Sequence, residues 1–547
     1  MKSPLFKLIL ILGIVYTGGH LGYLFFPPND TLTSPNRSAT RNESPPENGD
    51  GEPNLDSTTE IESEIFEDFE FQPPTNLTKS NELLVTFNDS GSYERFIENA
   101  QGLGIEIIRQ NNLLRALRLR VENLDEANRI RELAGDDATY DYNYLVSAPL
   151  IPEPLSKTGP GVPFLDGALH WLGVPEDNGD WGQGMTIALL DTGVNSHRAL
   201  DPSSISQIGL ISDEKTEGSE YQGHGTAIAS LLVGNTGIGI APSAELLSIQ
   251  VMDSDGLGDS FTLAEGIIQA VDAGGNIISM SLGSYGYTSV LENAVDYAVA
   301  NDVILVASAG NDGMNATPYP ARFDDVIGVA AIDAENQRAE FSNYSASIDV
   351  AAPGVEVLAA WGEEEWIPFS GTSVAVPFVA GGIAATMYLD KQLNPQEALE
   401  TILTYSDDTA APGKDPETGA GSLNMDRVLN RDERGIFDAA VGALYLDTQN
   451  ATETTTPLQV TVQNRGTEYL PNVSILLSQN DGNTQRVYLG PLSEHETTSY
   501  TLYLDNSQLA LESGYAIDAE TQLNGRQDSR PENNAKSGTL RIVSSDP

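Results

Sequence analysis

Three residues in this sequence have the side chains that nucleophilic catalysis needs, and each adjoins a regular apolar segment. Asp191 ends a strand-like run, His224 lies between two glycines before a helical run, and Ser373 stands in Gly-Thr-Ser-Val-Ala before another. A serine hydroxyl becomes a strong nucleophile when an adjacent imidazole takes its proton, and a carboxylate can fix that imidazole in the required tautomer. At the end of a parallel strand, Asp191 is expected to face the crevice in which such sheets bind ligands.

Taken one at a time, most of these motifs also have a purely structural interpretation. Asp191 fits a turn, a single histidine is most often structural, and Asn311 in Ser-Ala-Gly-Asn-Asp-Gly fits a strand-to-turn position. As a functional residue, Asn311 would direct its amide N–H into the cleft as an oxyanion donor. The Ser373 motif is the most specific, because Pro377 follows it at a fixed distance. The four motifs together, in this order, are not explained by chance.

At these motifs the chain resembles the subtilisin-like serine proteases, over residues 164–430. Gly-Ile-Ala-Pro at 239–242 and Phe-Ser-Asn-Tyr at 341–344 belong to the same resemblance. The resemblance implies a catalytic triad of Asp191, His224 and Ser373. It also implies an oxyanion donor at Asn311 and catalysis without a metal or other cofactor.

The resemblance carries two further expectations about binding. Ser281, Leu282 and Gly283 look like the family's substrate-binding strand, which pairs with the backbone of a peptide. Many relatives place a calcium-binding aspartate shortly after the catalytic one, where this chain has the segment 197–200, His-Arg-Ala-Leu. We therefore expect the usual high-affinity calcium site to be absent, while structural calcium elsewhere stays open.

The periodicity of residues 164–430 predicts an α/β fold with a parallel sheet covered by helices, and the resemblance implies that this sheet is subtilisin-like. The predicted strands and helices alternate along the chain, with strands at 186–190, 246–251, 277–280 and 304–307 and helices at 262–273 and 290–300.

Two further folded units are predicted on either side of this region. Residues 81–150 have the order β-α-β-β-α-β, a small ferredoxin-like α+β unit. Before a subtilisin-like domain, such a unit looks like an inhibitory propeptide, with a cut between residues 147 and 161. Residues 437–547 read as a β-sandwich, with strands at 458–462, 473–477, 498–504 and 540–543. The sandwich resembles adhesion-type repeats, and a stabilising role is equally open.

The N-terminal segment predicts an exported protein. Lys2 and Lys7 precede an apolar run over residues 8–26, so residues 1–26 are expected to be a signal anchor that leaves the remainder outside the cell. A cleaved signal peptide, giving a secreted protein, is the alternative. Residues 27–80 are rich in Pro, Asn, Ser, Thr and acidic residues and predict a disordered acidic linker.

Composition narrows the classes of partner. The chain of 547 residues has a formal net charge of −51, which disfavours nucleic acid as a partner because phosphates would be repelled. There is no cysteine, so disulfides and cysteine-based zinc sites are excluded. The expected partners are protein or peptide substrates, the chain's own propeptide, and a membrane through residues 8–26 if that segment is uncleaved.

The sequence as a whole predicts an exported serine endopeptidase that hydrolyses peptide bonds through an acyl-enzyme. One alternative is an inactive relative used for binding, which the presence of all four site residues disfavours. The other is a surface-adhesion protein that acts through the C-terminal sandwich, a role that could coexist with proteolysis.

Overall fold

The computed structural model describes residues 9–10, 77–149, 161–211, 221, 223–235, 237–479, 484–509, 514–540 and 542–543. Apart from residues 9 and 10, the predicted signal anchor lies outside these residues, as do nearly all of the predicted linker and most of the predicted cut region. Within them, Thr372–Leu389 is the one helix long and apolar enough to cross a membrane, and 89% of it is buried inside the fold. This helix is therefore a core helix.

The N-terminal unit (residues 77–149) has the order β-α-β-β-α-β, with four antiparallel strands and two helices. The Asp89 and Asn123 side chains accept hydrogen bonds from the first turns of these helices and so fix where they begin. The third strand begins at Ala116, because residues 112–115 form a turn in which Arg115 adopts a positive φ of 49°. The elements are Thr78–Phe87, Ser90–Leu103, Ile107–Asn111, Ala116–Arg120, Leu124–Ala134 and Ala138–Ser147.

The central unit (residues 161–430) contains a seven-stranded sheet in which every neighbouring pair is parallel. Ile277 lies opposite Ile187 on one side and Ile304 on the other, so apolar residues meet across the middle of the sheet. Its strands, in spatial order, are Val350–Pro353, Val326–Ile332, Ile304–Ser308, Ile277–Met280, Thr186–Asp191, Glu245–Gln250 and Ile205–Gly209. Both faces are covered, which explains the continuous apolar strands.

Helices cover the sheet on both faces and produce two main apolar clusters. One cluster contains Phe378 and Ile228 from the helices that begin near Ser373 and His224. The other contains Phe261 together with Leu84 and Val146 of the N-terminal unit, so that unit packs on the second face. The helices are Ala168–Trp171, His224–Val233, Ser260–Asp272, Ser289–Ala300, Thr372–Leu389, Pro395–Thr404 and Met425–Leu429. An antiparallel hairpin, Val357–Trp361 and Glu365–Phe369, leads into the Ser373 helix.

The C-terminal unit (residues 437–543) consists of two packed antiparallel sheets. Its strands are Ala439–Leu446, Thr455–Asn464 and Thr497–Asp505 in one sheet, and Thr484–Leu492, Leu470–Gln479, Tyr515–Leu523 and Ala535–Leu540 in the other. The strand predicted at 540–543 coincides with the end of one strand at Leu540 and with the short strand Ile542–Val543. Ile542–Val543 pairs with Ile9–Leu10.

Charged side chains join the C-terminal unit to the central unit. The buried guanidinium of Arg427 donates to Asp407, and Arg465 of the sandwich approaches the other oxygen of the same carboxylate at 3.0 Å. The Gln463 amide donates to the backbone oxygen of Ser406. Separating the two units would take Arg465 away from Asp407 and leave charges in this cluster uncompensated. These contacts therefore hold the two units together.

This junction gives a prediction of pH-dependent stability. Asp438 is completely buried, and burial raises its pKa to about 6 from the usual 3.8. The folded state therefore binds a proton more tightly than the unfolded state, and stability falls as pH rises from about 4 to about 6. We expect Asp438→Asn to raise the free energy of unfolding at pH 8, by on the order of 1 kcal/mol, and to change it little at pH 4.

Urea unfolding at the two pH values measures this effect. Asp432→Asn is the control, because the Asp432 side chain is 89% exposed. An equal effect of Asp438→Asn at both pH values would show that the buried carboxyl does not titrate in this way.

Candidate active site

The Asp191 and His224 side chains form a buried pair. His224 Nδ1 lies 2.8 Å from Asp191 Oδ1 and 3.0 Å from Oδ2, and neither residue is exposed. The Thr192 N–H also donates to Oδ1 at 2.7 Å, which keeps the carboxylate facing the ring. Because the carboxylate accepts at Nδ1, the proton of neutral His224 is held on Nδ1 and Nε2 is left with a lone pair.

Packing fixes the position of this pair. Asp191 ends a central strand, and His224 begins its helix directly after Gly223. A Cβ on Gly225 would lie 2.2 Å from the Gly193 carbonyl oxygen, so only glycine allows this approach. The edge of the His224 ring meets the Phe369 ring at 5.6 Å between centroids. The imidazole can therefore rotate little.

Ser373 lies in the first turn of its helix, and its position depends on a proline one turn later. Pro377 has no N–H, so it cannot donate to the carbonyl oxygen of Ser373 as a helix interior would require. The Ser281 hydroxyl donates to that oxygen instead, at 2.9 Å. The Ser281 side chain thus holds the turn that carries Ser373.

The Ser373 Oγ and His224 Nε2 are both buried, and neither has a hydrogen-bond partner within the described part of the chain. The structure therefore does not join these two atoms by a hydrogen bond. Buried polar atoms without partners are uncommon and costly, and both belong to residues singled out from the sequence. In unliganded sites such contacts are often long and shorten only with substrate.

The side chain of Asn311 is oriented by Thr372. Its Oδ1 accepts from the Thr372 N–H at 2.9 Å and from the Thr372 hydroxyl at 2.8 Å. A Cβ built on Gly371 would lie 3.0 Å from Asn311 Nδ2 and 3.6 Å from the Ser373 nitrogen. Both nitrogens thus border the space beside Gly371, whose φ of 148° favours glycine. Two N–H groups converging on one point suit a developing oxyanion.

Asn343, in the Phe-Ser-Asn-Tyr motif, supports this loop from behind. Its Oδ1 accepts from the N–H groups of Asp312 and Met314, directly after Asn311. The sequence did not show a role for Asn343, nor did it show that Thr372 donates hydrogen bonds to Asn311.

The predicted substrate strand is paired with a strand of the N-terminal unit. Gly283 and Ser147 exchange two backbone hydrogen bonds, at 2.9 and 3.0 Å, and the Ala148 N–H donates to the Gly256 oxygen. On the other side, residues 145–147 pair with Leu257–Asp259. The end of the N-terminal unit thus forms an added strand between two edges of the central unit. Leu282 is fully buried and belongs to the same apolar cluster as Val146 and Ala148.

Ion pairs and a helix cap strengthen the same docking. Arg118 of the N-terminal unit donates to its own Glu82 and to Asp259 of the central unit. Asp141 accepts from both the N–H and the hydroxyl of Ser289, in the first turn of a helix that has no side-chain cap of its own. Burial raises the pKa of Asp141, against the effect of these hydrogen bonds.

No cluster of three or more His, Asp or Glu side chains in the described ranges could hold a metal ion. Within the segment 197–200, the guanidinium carbon of Arg198 lies 5.8 Å from the centre of the Trp366 ring.

Comparison with known proteins identifies what this arrangement resembles. Residues 182–421 match the sequence model of the Subtilase family. The chain is 36% identical over 248 residues to subtilisin BL of Lederbergia lenta, which covers 45% of this chain and 87% of that protein. It is 40% identical over 209 residues to a thermostable alkaline protease of Halalkalibacterium halodurans, covering 38% of this chain and 57% of that protein.

Among solved structures, the chain is similar to fervidolysin from Fervidobacterium pennivorans, a keratinolytic enzyme related to subtilisin. The TM-score is 0.55 with 17% identity, and the match covers 86% of this chain and 92% of that one. At this identity, the likeness shows the fold alone.

Proposed function

The chain belongs to the subtilase family of serine endopeptidases, and on that premise we propose that it hydrolyses peptide bonds through Asp191, His224 and Ser373. The observation that carries the proposal is the buried Asp191–His224 pair, which leaves Nε2 unprotonated and without a partner. Ser373 Oγ is the second partnerless buried atom. A base and a hydroxyl with no other partner suit proton transfer between them.

In this mechanism Ser373 Oγ attacks the scissile carbonyl carbon, and its proton passes to His224 Nε2. Asp191 stabilises the resulting imidazolium through the Nδ1 hydrogen bond. The carbonyl oxygen, now negative, accepts hydrogen bonds from Asn311 Nδ2 and the Ser373 N–H. His224 then gives the proton to the leaving amine. In the second half of the reaction, His224 takes a proton from the water that attacks the acyl-enzyme and gives a proton back to Ser373 Oγ, which releases the acid product. No cofactor takes part.

The contacts of the N-terminal unit support a second proposal, that it is an inhibitory propeptide. Its last strand pairs with Gly283 in the place where a substrate peptide would bind, so an intact chain blocks its own site. Cleavage after this strand would convert a bound segment into a product that can leave. The predicted cut between residues 147 and 161 stays a proposal.

Two features outside the site complete the proposed organisation. The contacts of Asp407 with Arg427 and Arg465 favour a structural role for the C-terminal unit over a separate binding role.

We propose that the protein is exported, because relatives are proteases of the subtilisin type and the N-terminal sequence fits export. Anchoring through residues 8–26 and an acidic linker over 27–80 stay proposals.

Labelling with a fluorophosphonate tests the proposed nucleophile. This reagent phosphonylates serine hydroxyls that an adjacent base has activated, because the serine oxygen attacks phosphorus and fluoride leaves. We expect one label per chain, located on Ser373 by peptide mass, with proteolytic activity lost in proportion to labelling. A label on another serine, or activity that survives full labelling of Ser373, would exclude the proposed triad.

A further prediction concerns the docking of the N-terminal unit. Arg118→Ala leaves the carboxylates of Glu82 and Asp259 without their shared cation, so we expect the docked strand to open more often. Hydrogen exchange at the Ser147 and Gly283 amides, in a Ser373→Ala background, should accelerate by roughly tenfold or more.

Arg120→Ala is the matched control, because Arg120 forms an ion pair with the exposed Glu106 of its own unit and with no other acidic residue in the described part of the chain. Unchanged exchange in Arg118→Ala, or an equal change in Arg120→Ala, would show that the ion pair does not hold the strand in place.

A further inference from the structure

The strand that docks beside Gly283 carries a tyrosine that packs on a second glycine of the same segment. Ser147 and Gly283 exchange two backbone hydrogen bonds in an antiparallel bridge. Tyr144 lies three residues before Ser147, and Gly286 lies three residues after Gly283, so the register of this bridge continues to the pair of Tyr144 and Gly286. A Cβ on Gly286 would lie 2.2 Å from both Cγ and Cδ1 of Tyr144.

The Tyr144 ring therefore occupies the space that a side chain at position 286 would fill. The three atoms nearest to a Cβ on Gly286, its chain neighbours apart, all belong to this ring. The central unit itself thus leaves the space open, and the ring comes from the N-terminal unit.

Contacts within the central unit hold Gly286 in place from both sides of the chain. The Tyr285 hydroxyl donates to the Asp312 carboxylate, and the Tyr287 hydroxyl donates to Glu292 at 2.6 Å. All four of these side chains belong to the central unit, so the segment around Gly286 keeps its supports when the N-terminal unit leaves. The space above Gly286 is then a preformed place for another side chain.

The direction of the segment 281–286 shows on which side of the scissile bond this place lies. The Ser281 hydroxyl donates to the carbonyl oxygen of Ser373, so the segment begins beside the proposed nucleophile and leads away from it. A peptide that pairs antiparallel with the segment, as the docked strand does, approaches Ser373 towards its own C-terminus. Gly286 therefore faces the acyl part of a substrate, three residues before the residue that pairs with Gly283.

The contact with Tyr144 indicates which kind of side chain fits. A flat ring can lie directly on the backbone of a glycine, and aromatic residues stabilise strand pairing when they cover a glycine in this way. The Tyr144 hydroxyl has no hydrogen-bond partner in the part of the chain that the structure describes. The fit thus depends on the ring, and phenylalanine should serve as well as tyrosine.

We propose that Gly286, flanked by Tyr285 and Tyr287, forms a subsite for an aromatic side chain on the acyl side of the substrate. In the uncleaved chain Tyr144 fills this subsite, and after its release a tyrosine or phenylalanine of the substrate takes its place. The inference rests on the proposed function, because cleavage at Ser373 defines the acyl side.

The test uses enzyme produced from the full chain and internally quenched peptides that copy residues 141–165, with Tyr, Phe or Ala at the position of residue 144. We expect kcat/KM for the Tyr and Phe peptides to exceed that for the Ala peptide by about tenfold. In Gly286→Ala the added Cβ takes the place of the ring, so this ratio should fall towards one. Gly286 does not have a positive φ, so its backbone conformation suits alanine.

Gly179→Ala is the matched control, because a Cβ on this exposed glycine would have no atom within 4 Å except those of its chain neighbours. This variant should keep the wild-type ratio. Equal kcat/KM values for the three peptides with the wild-type enzyme would overturn the proposal. An aromatic preference that Gly286→Ala leaves unchanged, or that Gly179→Ala removes equally, would also overturn it.

A chain that cuts none of the peptides would contradict the proposed function, and competition then decides the role of Gly286. Full-length Arg118→Ala/Ser373→Ala, whose docked strand should open more often, is mixed with peptides that copy residues 141–149 with Tyr or Ala at position 144. A peptide that displaces the docked strand exposes the chain's own Ser147 amide to hydrogen exchange.

The Tyr peptide should reach half of its maximal effect on this exchange at a concentration about tenfold lower than the Ala peptide. Adding Gly286→Ala to the same chain should remove the difference. Equal concentrations for the two peptides in the chain that keeps Gly286 would overturn the subsite independently of catalysis.

Discussion

Ser373→Ala should lower kcat on peptide substrates by at least about 10⁴-fold, a magnitude carried over from other serine proteases. The variant lacks the hydroxyl that forms the acyl-enzyme, yet the hydrogen bond from Ser281 reaches the backbone oxygen of residue 373 and survives the change. The substitution adds no buried polar atom, so the free energy of unfolding should stay within about 1 kcal/mol. Initial rates and urea unfolding of the same preparations separate the two effects.

Ser370→Ala is the matched control for this prediction. Ser370 lies in the same loop, but its hydroxyl accepts a hydrogen bond from the Glu356 N–H and does not face the imidazole pair. Its kcat should change by less than about tenfold. Ser373→Ala with more than a tenth of wild-type kcat would mean that another group is the nucleophile.

Asp191→Asn should lower kcat by about 10⁴-fold, for a different reason. Both carboxylate oxygens of Asp191 lie within hydrogen-bond distance of His224 Nδ1, and the Thr192 N–H donates to Oδ1. An asparagine here keeps its oxygen towards Thr192 and turns its NH₂ group to the ring. Nδ1 must then accept, the proton moves to Nε2, and His224 can no longer take the proton of Ser373.

This tautomer effect has a signature that a general loss of structure would lack. KM should change little, because Asp191 is buried behind the imidazole and does not contact substrate. Asp201→Asn, which changes an exposed turn carboxylate, should leave kcat unaltered. A fall in kcat/KM caused by KM alone would show that Asp191 does not act through His224.

The central sheet could be predicted because its strands are buried on both faces. Thr186–Asp191 and Ile277–Met280 are continuous apolar runs, and the predicted bounds differ from the observed ones by at most one residue. The sandwich was harder to predict, because strands with one exposed face have interrupted apolar patterns. Tyr515–Leu523 alternates between buried and exposed residues and was missed, as was Thr484–Leu492. Ala439–Leu446 was also missed, although it is almost entirely apolar and has no exposed residue.

The site residues could be named from the sequence, but not the contacts that position them. Ser281 was predicted only as part of a strand that pairs with a peptide backbone, and the sequence did not show that its buried side chain donates to the carbonyl oxygen of Ser373. Pro377 indicates that a contact of this kind is needed, because a proline four residues after Ser373 leaves the Ser373 carbonyl oxygen without its helical hydrogen-bond donor. The residue that replaces this donor could not be predicted, because Ser281 is 92 positions away in the sequence and comes close only in the fold.

The mass of the chain over time, measured beside its Ser373→Ala variant, tests the central claim most directly. Expression should begin before Leu77, because the first strand of the N-terminal unit starts at Thr78 rather than at the predicted boundary of residue 81. If the chain is a serine endopeptidase whose substrate strand holds its own residues 145–148, the wild type will digest casein and release a fragment that ends between residues 147 and 161, and the variant will stay whole. Folded wild-type protein that stays intact and leaves casein undigested, with calcium and salt supplied, would contradict the account.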